Sequence, residues 1–157
     1  MLPSLGRLIF FVIAALIGGI FVIEASGWFL GETLGSDYTY FLPKLLFGYF
    51  WFHENGITEV PWFSPAACAG LPFFANPQSG YYSIPQLITM VVDPQSSIYL
   101  TFVIFGLTGA AAMYALLRVS FQLSTWFALL GAVLFLFNEF YLSRMLAGHL
   151  TYHMFPL

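Results

Sequence analysis

Charge is what this sequence has least of. Lys, Arg, Asp and Glu make up 7% of its 157 residues while 60% are hydrophobic, against roughly a quarter charged in an ordinary soluble domain. That balance excludes a water-soluble globule and reads as an integral membrane protein. Basic residues are scarcer still. Four Lys plus Arg cannot line a phosphate backbone, so no nucleic-acid partner is expected. A net charge of -3 selects no electrostatic partner either. The single cysteine, Cys68, excludes an internal disulfide, a CxxC motif and a cysteine zinc cluster. Glycine-rich nucleotide loops, internal repeats and low-complexity tracts are also missing.

What is there is a set of long apolar runs. Residues 8–23, "LIFFVIAALIGGIFVI", follow Arg7 without a charge. Such a run reaches roughly 24 Å at about 1.5 Å per residue, so the span is expected to continue past Glu24 toward Trp28. Arg7 and the small residues "ASG" also suit a signal peptide, but the run is long for one, and a membrane anchor is the preferred reading. Residues 97–117 carry no charge, and residues 121–142 carry only Glu139. The link "RVSFQLS" is short enough to force a hairpin. Arg7 and Arg118 then share one side, which the positive-inside rule makes cytoplasmic, together with the N-terminus. The predicted architecture is an all-α polytopic membrane protein with three transmembrane helices, at about 8–28, 97–117 and 121–142. An outer loop of about 29–96 and an outer segment of 143–157 complete it.

The outer loop is not an ordinary hydrophilic one. Residues 41–52, "FLPKLLFGYFWF", are too short and interrupted to span and read as an interfacial helix from which Lys44 snorkels. Residues 83–92 read as a second, stopped by Asp93-Pro94. Between them lies a proline-broken, aromatic and uncharged stretch, residues 60–87.

Few residues are left to carry chemistry. Asp37 stands before the first interfacial helix, where Ser36 or Asp37 would cap its free N–H groups. The other reading is a carboxylate that takes a proton from an acceptor hydroxyl or holds a metal ion. Glu139 lies a turn or two inside the third span and either faces a wet cavity or snorkels at the interface. Arg144 suits bidentate binding of a phosphate, or anchors the interface by pairing with Glu139. His149 and His153, four apart, share a face if helical and could bracket a metal ion or a phosphate. Tyr81 and Tyr82, with Trp62, stack on a sugar or polyprenyl chain or belong to an aromatic belt.

The segments "GSDYTYFLPKLLFGYFW" and "ENGITEVPWFSPAACAGLPFFANPQSGYYSIPQLI" together resemble the first outer loop of the YfhO-like bacterial membrane proteins, which have the C-type glycosyltransferase fold. In that family an Asp follows the first span, and a run punctuated by Gly, Pro and Trp precedes the second. The likeness covers residues 35–88 and continues in "SRMLAGHLTYH", similar to the family's R-x-x-x-G-H segment. It departs in Gly56-Ile57-Thr58-Glu59-Val60-Pro61-Trp62, where Trp directly follows Pro, and in Tyr81-Tyr82-Ser83-Ile84-Pro85, where a Tyr-Pro pair is expected.

The resemblance implies an enzyme of some eight to thirteen spans, so this chain is expected to be its N-terminal part, inactive alone. The implied reaction moves a sugar from a polyprenyl-phosphate donor to a glycan, lipid or polymer on the outer face, among membrane lipids. Asp37 is then the candidate base or metal ligand and Glu139 a second carboxylate. Arg144, His149 and His153 would serve the phosphate, and Tyr81 and Tyr82 the donor. A divalent ion is the one cofactor left open, with Asp37 and His149 as its candidate ligands. The rival reading is a non-catalytic membrane protein, either a transporter or flippase segment or a structural subunit. A transporter calls for polar residues near midspan, whereas here midspan is apolar apart from Ser and Thr and the ionisable groups gather at one face.

Overall fold

A computed structural model describes residues 5–30, 35–66 and 69–151. The expectations placed on Cys68 and His153 lie outside the described residues. The chain is mostly helical: α1 Leu5–Leu30, α2 Tyr38–Asn55, α3 Ile84–Ile88, α4 Pro94–Val119, α5 Thr125–Leu136 and α6 Glu139–Ala147, with two-residue strands β1 Phe63–Ser64 and β2 Leu71–Pro72 paired antiparallel. Among the described residues three stretches are long and apolar enough to cross a membrane: Leu5–Gly27, Pro94–Val119 and Thr125–Ala147.

The first span runs unbroken past Glu24, as its length requires. Phe10 packs against Tyr114 and Trp126, while Phe21 packs against Phe102 and Phe137. So α4 runs antiparallel to α1 and α5, and Arg7 and Arg118 fall at one end of the bundle. Asp93 sets where α4 begins. Its side chain accepts from Ser96 N–H at 2.9 Å, and Pro94 occupies a first-turn position where no N–H is needed. The hydroxyl and backbone N–H of Ser96 hold the Asp93 carboxyl below its ordinary value. The same Asp-Pro pair keeps the backbone extended at Asp93. Of the expected residues 83–92, only Ile84–Ile88 are helical.

The third span differs from the expected 121–142. It starts at Thr125 and is broken at Phe137-Asn138 into α5 and α6. Asn138 serves both pieces: its amide donates to Phe135 O of α5, and its oxygen accepts from Tyr141 N–H of α6 at 2.8 Å. The break carries α6 beyond the predicted end and sets its C-terminus beside the start of α2.

Two clusters hold the molecule. In the bundle, Phe21, Phe102 and Tyr141 form a column, with Phe102 and Tyr141 stacked at 4.5 Å and the Tyr141 hydroxyl donating to Phe102 O at 2.7 Å. In the loop, Phe52, Phe73 and Tyr81 make a smaller core of their own, covered by Phe47, Trp51 and Phe74. A buried polar seam joins α2, α3 and α4. Gln86 donates to Leu45 O and Thr89 Oγ1, and the Ser97 hydroxyl donates to Pro85 O.

Candidate functional site

The site begins with two glycines. Gly148 ends α6 in the left-handed conformation at φ 91°, its N–H returning to Arg144 O and Met145 O. That turn folds the chain back so that the end of α6 can be met by residues 35–38. Gly35 N–H donates to Leu146 O at 3.0 Å and Asp37 N–H to Ala147 O at 3.2 Å. These bonds satisfy carbonyls that a helix end otherwise leaves open. The approach is too close for side chains. A Cβ on Gly35 would lie 2.3 Å from Leu146 O, and one on Gly148 would lie 2.5 Å from Tyr38 N. Tyr38, buried, completes the clasp by donating to Met145 O at 2.7 Å. Burial pushes its phenol upward, so it remains a donor.

This backbone contact brings together charged residues from the two ends of the chain. Asp37 precedes α2 but does not cap it, since its side chain makes no bond to the helix N–H groups. The carboxylate turns instead to His149, Oδ2 against Nε2. On the other side of the ring, Arg144 Nη1 meets His149 Nδ1 at 2.9 Å. A guanidinium can only donate, so Nδ1 is an acceptor and the ring proton sits on Nε2, given to the carboxylate. The Arg144 guanidinium also lies 4.7 Å from the Phe140 ring centre. Asp37 and His149 keep 39% and 27% of their side chains exposed, so the carboxylate is held firmly on one side and open on the other. The arrangement is a carboxylate fixed by an imidazole and backed by a cation, suited to accepting a proton from a bound hydroxyl.

Of the other expected site residues, Glu139 is not brought here. It stands exposed in the first turn of α6, where a negative charge suits the helix dipole. Five residues separate it from Arg144, about 140° around the axis, and no ion pair joins the two among the described residues. Asp37 and His149, the candidate metal ligands, are adjacent. Among the described residues, however, no group of three or more His, Cys, Asp or Glu side chains comes together, and His149 Nδ1 already faces a cation.

Tyr81 and Tyr82 separate sharply. Tyr81 is 2% exposed, stacked on Phe52 at 4.7 Å, and belongs to the loop core. Tyr82 is 47% exposed, with its hydroxyl on Ile57 O. Burial, with a smaller contribution from Tyr82, pushes the Tyr81 phenol up from 10.0 to about 12. The folded chain therefore holds a proton that the unfolded chain gives up first. Stability from this group is complete below about pH 10 and is lost as the pH climbs toward about 12. A phenolate absorbance titration of wild type minus Tyr81→Phe should show one tyrosine ionising near that upper limit. Ionisation near pH 10 would contradict the burial.

Beside the clasp lies a groove of about 510 Å³, walled by Phe41 and Leu45 of α2, by residues 76–83 of the loop, and by Leu150 and Thr151. It is part aromatic and part polar, with Asn76, Gln78 and Ser79 in its wall. Leu150 and Thr151 directly follow His149, and Phe41 stands one helical turn after Asp37. Comparison with protein-family models, with curated proteins and with solved structures finds no match.

Proposed function

We propose that this chain belongs to a membrane glycosyltransferase that moves a sugar from a polyprenyl-phosphate donor to an acceptor on the outer face, with its N-terminus cytoplasmic. One observation carries the reading: the Asp after the first span and the R-x-x-x-G-H segment at the end of the third, more than a hundred residues apart, meet side chain to side chain. In this reading Asp37 accepts the proton of the acceptor hydroxyl as that oxygen bonds to the sugar's anomeric carbon. The bond from that carbon to the phosphate breaks, and the polyprenyl phosphate leaves with the electron pair. His149 orients the carboxylate through Nε2–H, and Arg144 supplies positive charge near the developing phosphate. The groove lined by residues 76–83 receives the donor, with exposed Tyr82 at its rim rather than buried Tyr81. Arg7 and Arg118, together at the opposite end of the bundle, support the orientation.

A photoreactive polyprenyl-phosphate hexose, reconstituted with the protein in liposomes, tests the reading. Saturable crosslinking within residues 76–83, displaced by polyprenyl phosphate, is expected. Labelling that is confined elsewhere, or that polyprenyl phosphate does not displace, would remove the donor from this groove and with it the reading.

A further inference from the structure

Lys44 is the only lysine of the sequence, and it does not snorkel. Its ammonium is buried and has no hydrogen-bond partner among the described residues. What it does have is the face of Tyr40, 3.5 Å from the ring centre, with Phe41 farther off at 5.7 Å. Burying an ammonium with all three donors unmet is strongly unfavourable, and a ring face compensates only in part. Lys44 itself is one of the residues around a second cavity, about 300 Å³, between α2 and the β1–β2 hairpin, with its ammonium buried behind the cavity surface.

Two of the other polar side chains of that wall keep protons to give, while the Tyr40 hydroxyl donates to Gln78 Oε1. Ser64 Oγ accepts from Ala66 N–H and Asn76 Oδ1 accepts from Gln78 N–H, which leaves the Ser64 hydroxyl proton and the Asn76 amide protons to give. Thr39 spends its hydroxyl on Ser36 O. Among the described residues no Asp or Glu lines the cavity, and Phe47, Leu71 and Phe73 supply apolar surface beside Lys44. A buried cation with neutral donors, no carboxylate and an apolar flank fits a tetrahedral oxyanion, whose several acceptor oxygens match donors arriving from several directions.

The geometry points to a binding site for a phosphate-type oxyanion in the cavity between α2 and the β1–β2 hairpin, with Lys44 as its cation and Ser64 and Asn76 as its neutral donors. The site does not depend on the glycosyltransferase reading and is separate from the Asp37–His149 pair. Its ligand is either a lipid phosphate headgroup, seated with its apolar part along Phe47 and Leu71, or free phosphate.

The sole lysine gives a direct reporter. Protein labelled with [15N]lysine and held in maltoside micelles, which contain no phosphate, shows one side-chain ammonium resonance. Titration with inorganic phosphate, against chloride at equal ionic strength, or with phosphatidylglycerol added to the micelles, is expected to shift it saturably. A shift with the lipid alone identifies a headgroup site, and a shift with both shows that the free oxyanion suffices. Asn76→Asp keeps the oxygen that accepts from Gln78 N–H but adds a like charge to the cavity. It should raise the half-saturating concentration on the order of tenfold or more. No saturable shift with either compound, or an unchanged midpoint in Asn76→Asp, overturns the site.

Discussion

Gly148→Ala is expected to destabilise the protein by about 3 kcal/mol and to separate Asp37 from His149. Two costs combine. A non-glycine residue at φ 91° costs on the order of 1–2 kcal/mol. The added Cβ would also sit 2.5 Å from Tyr38 N and 2.6 Å from Tyr38 Cδ2, contacts that neither backbone nor buried ring can yield cheaply. Overpacking of this kind adds roughly 1–3 kcal/mol. The chain relieves the clash only by lifting residues 35–38 off the end of α6, which breaks the bonds to Leu146 O, Ala147 O and Met145 O together. Equilibrium unfolding in mixed micelles measures the loss. The ring 15N shifts of His149 report whether Nε2–H still faces a carboxylate and Nδ1 still accepts. Gly19→Ala is the control, since a Cβ there meets nothing within 4 Å and alanine suits a helix better than glycine. A Gly148 variant as stable as that control, with unchanged His149 shifts, would mean that the clasp is not what holds the pair.

Asp37→Asn separates chemistry from architecture. The amide is nearly isosteric and still offers an oxygen to His149 Nε2–H, while the basic lone pair is gone. Because the carboxylate is 39% exposed, solvent weakens its ion-pair contribution, and the unfolding midpoint should move little. On the proposed function, with Asp37 as its base, turnover of a polyprenyl-phosphate sugar by the protein expressed from its complete gene should fall by about 10²- to 10⁴-fold, the usual worth of a positioned general base. Wild-type turnover in this variant would return Asp37 to a purely structural role. Loss of both turnover and stability would mean that the charge, not the proton, is what matters at this position.

The spans were legible because apolar length is a physical requirement of the bilayer, written directly into residue type. The break in the third was hidden because the apolar run continues on both sides of it. The signal was nevertheless present in "FNE", an Asn cap followed by an acid in the first turn. Asp37 shows the opposite failure. A local rule reads any Asp before a helix as its cap, but the partner that wins the carboxylate is His149, far along the chain. The Gly35 and Gly148 contacts that make room for it depend on tertiary approach, which no local pattern carries. Tyr81 and Tyr82 were indistinguishable as adjacent letters. One faces the loop core and the other solvent, a difference set by how an irregular backbone turns rather than by residue type. Lys44 was read as an interfacial snorkeller because that is where the lysine stem usually leads. The packing that buries its ammonium is again a long-range feature.

The clasp also has a consequence for biogenesis. Tyr38 and Met145 are 107 residues apart, and synthesis proceeds from one to the other. While the second and third spans are still being inserted, α2 and the aromatic loop already exist, with the Tyr38 hydroxyl and the Gly35 N–H still waiting for their carbonyl partners. The contact that assembles the Asp37–His149 pair is therefore among the last of those described to form on a nascent chain. A ribosome that stalls before the codon for Gly148 leaves a protein whose first loop is made and whose ionisable pair is not.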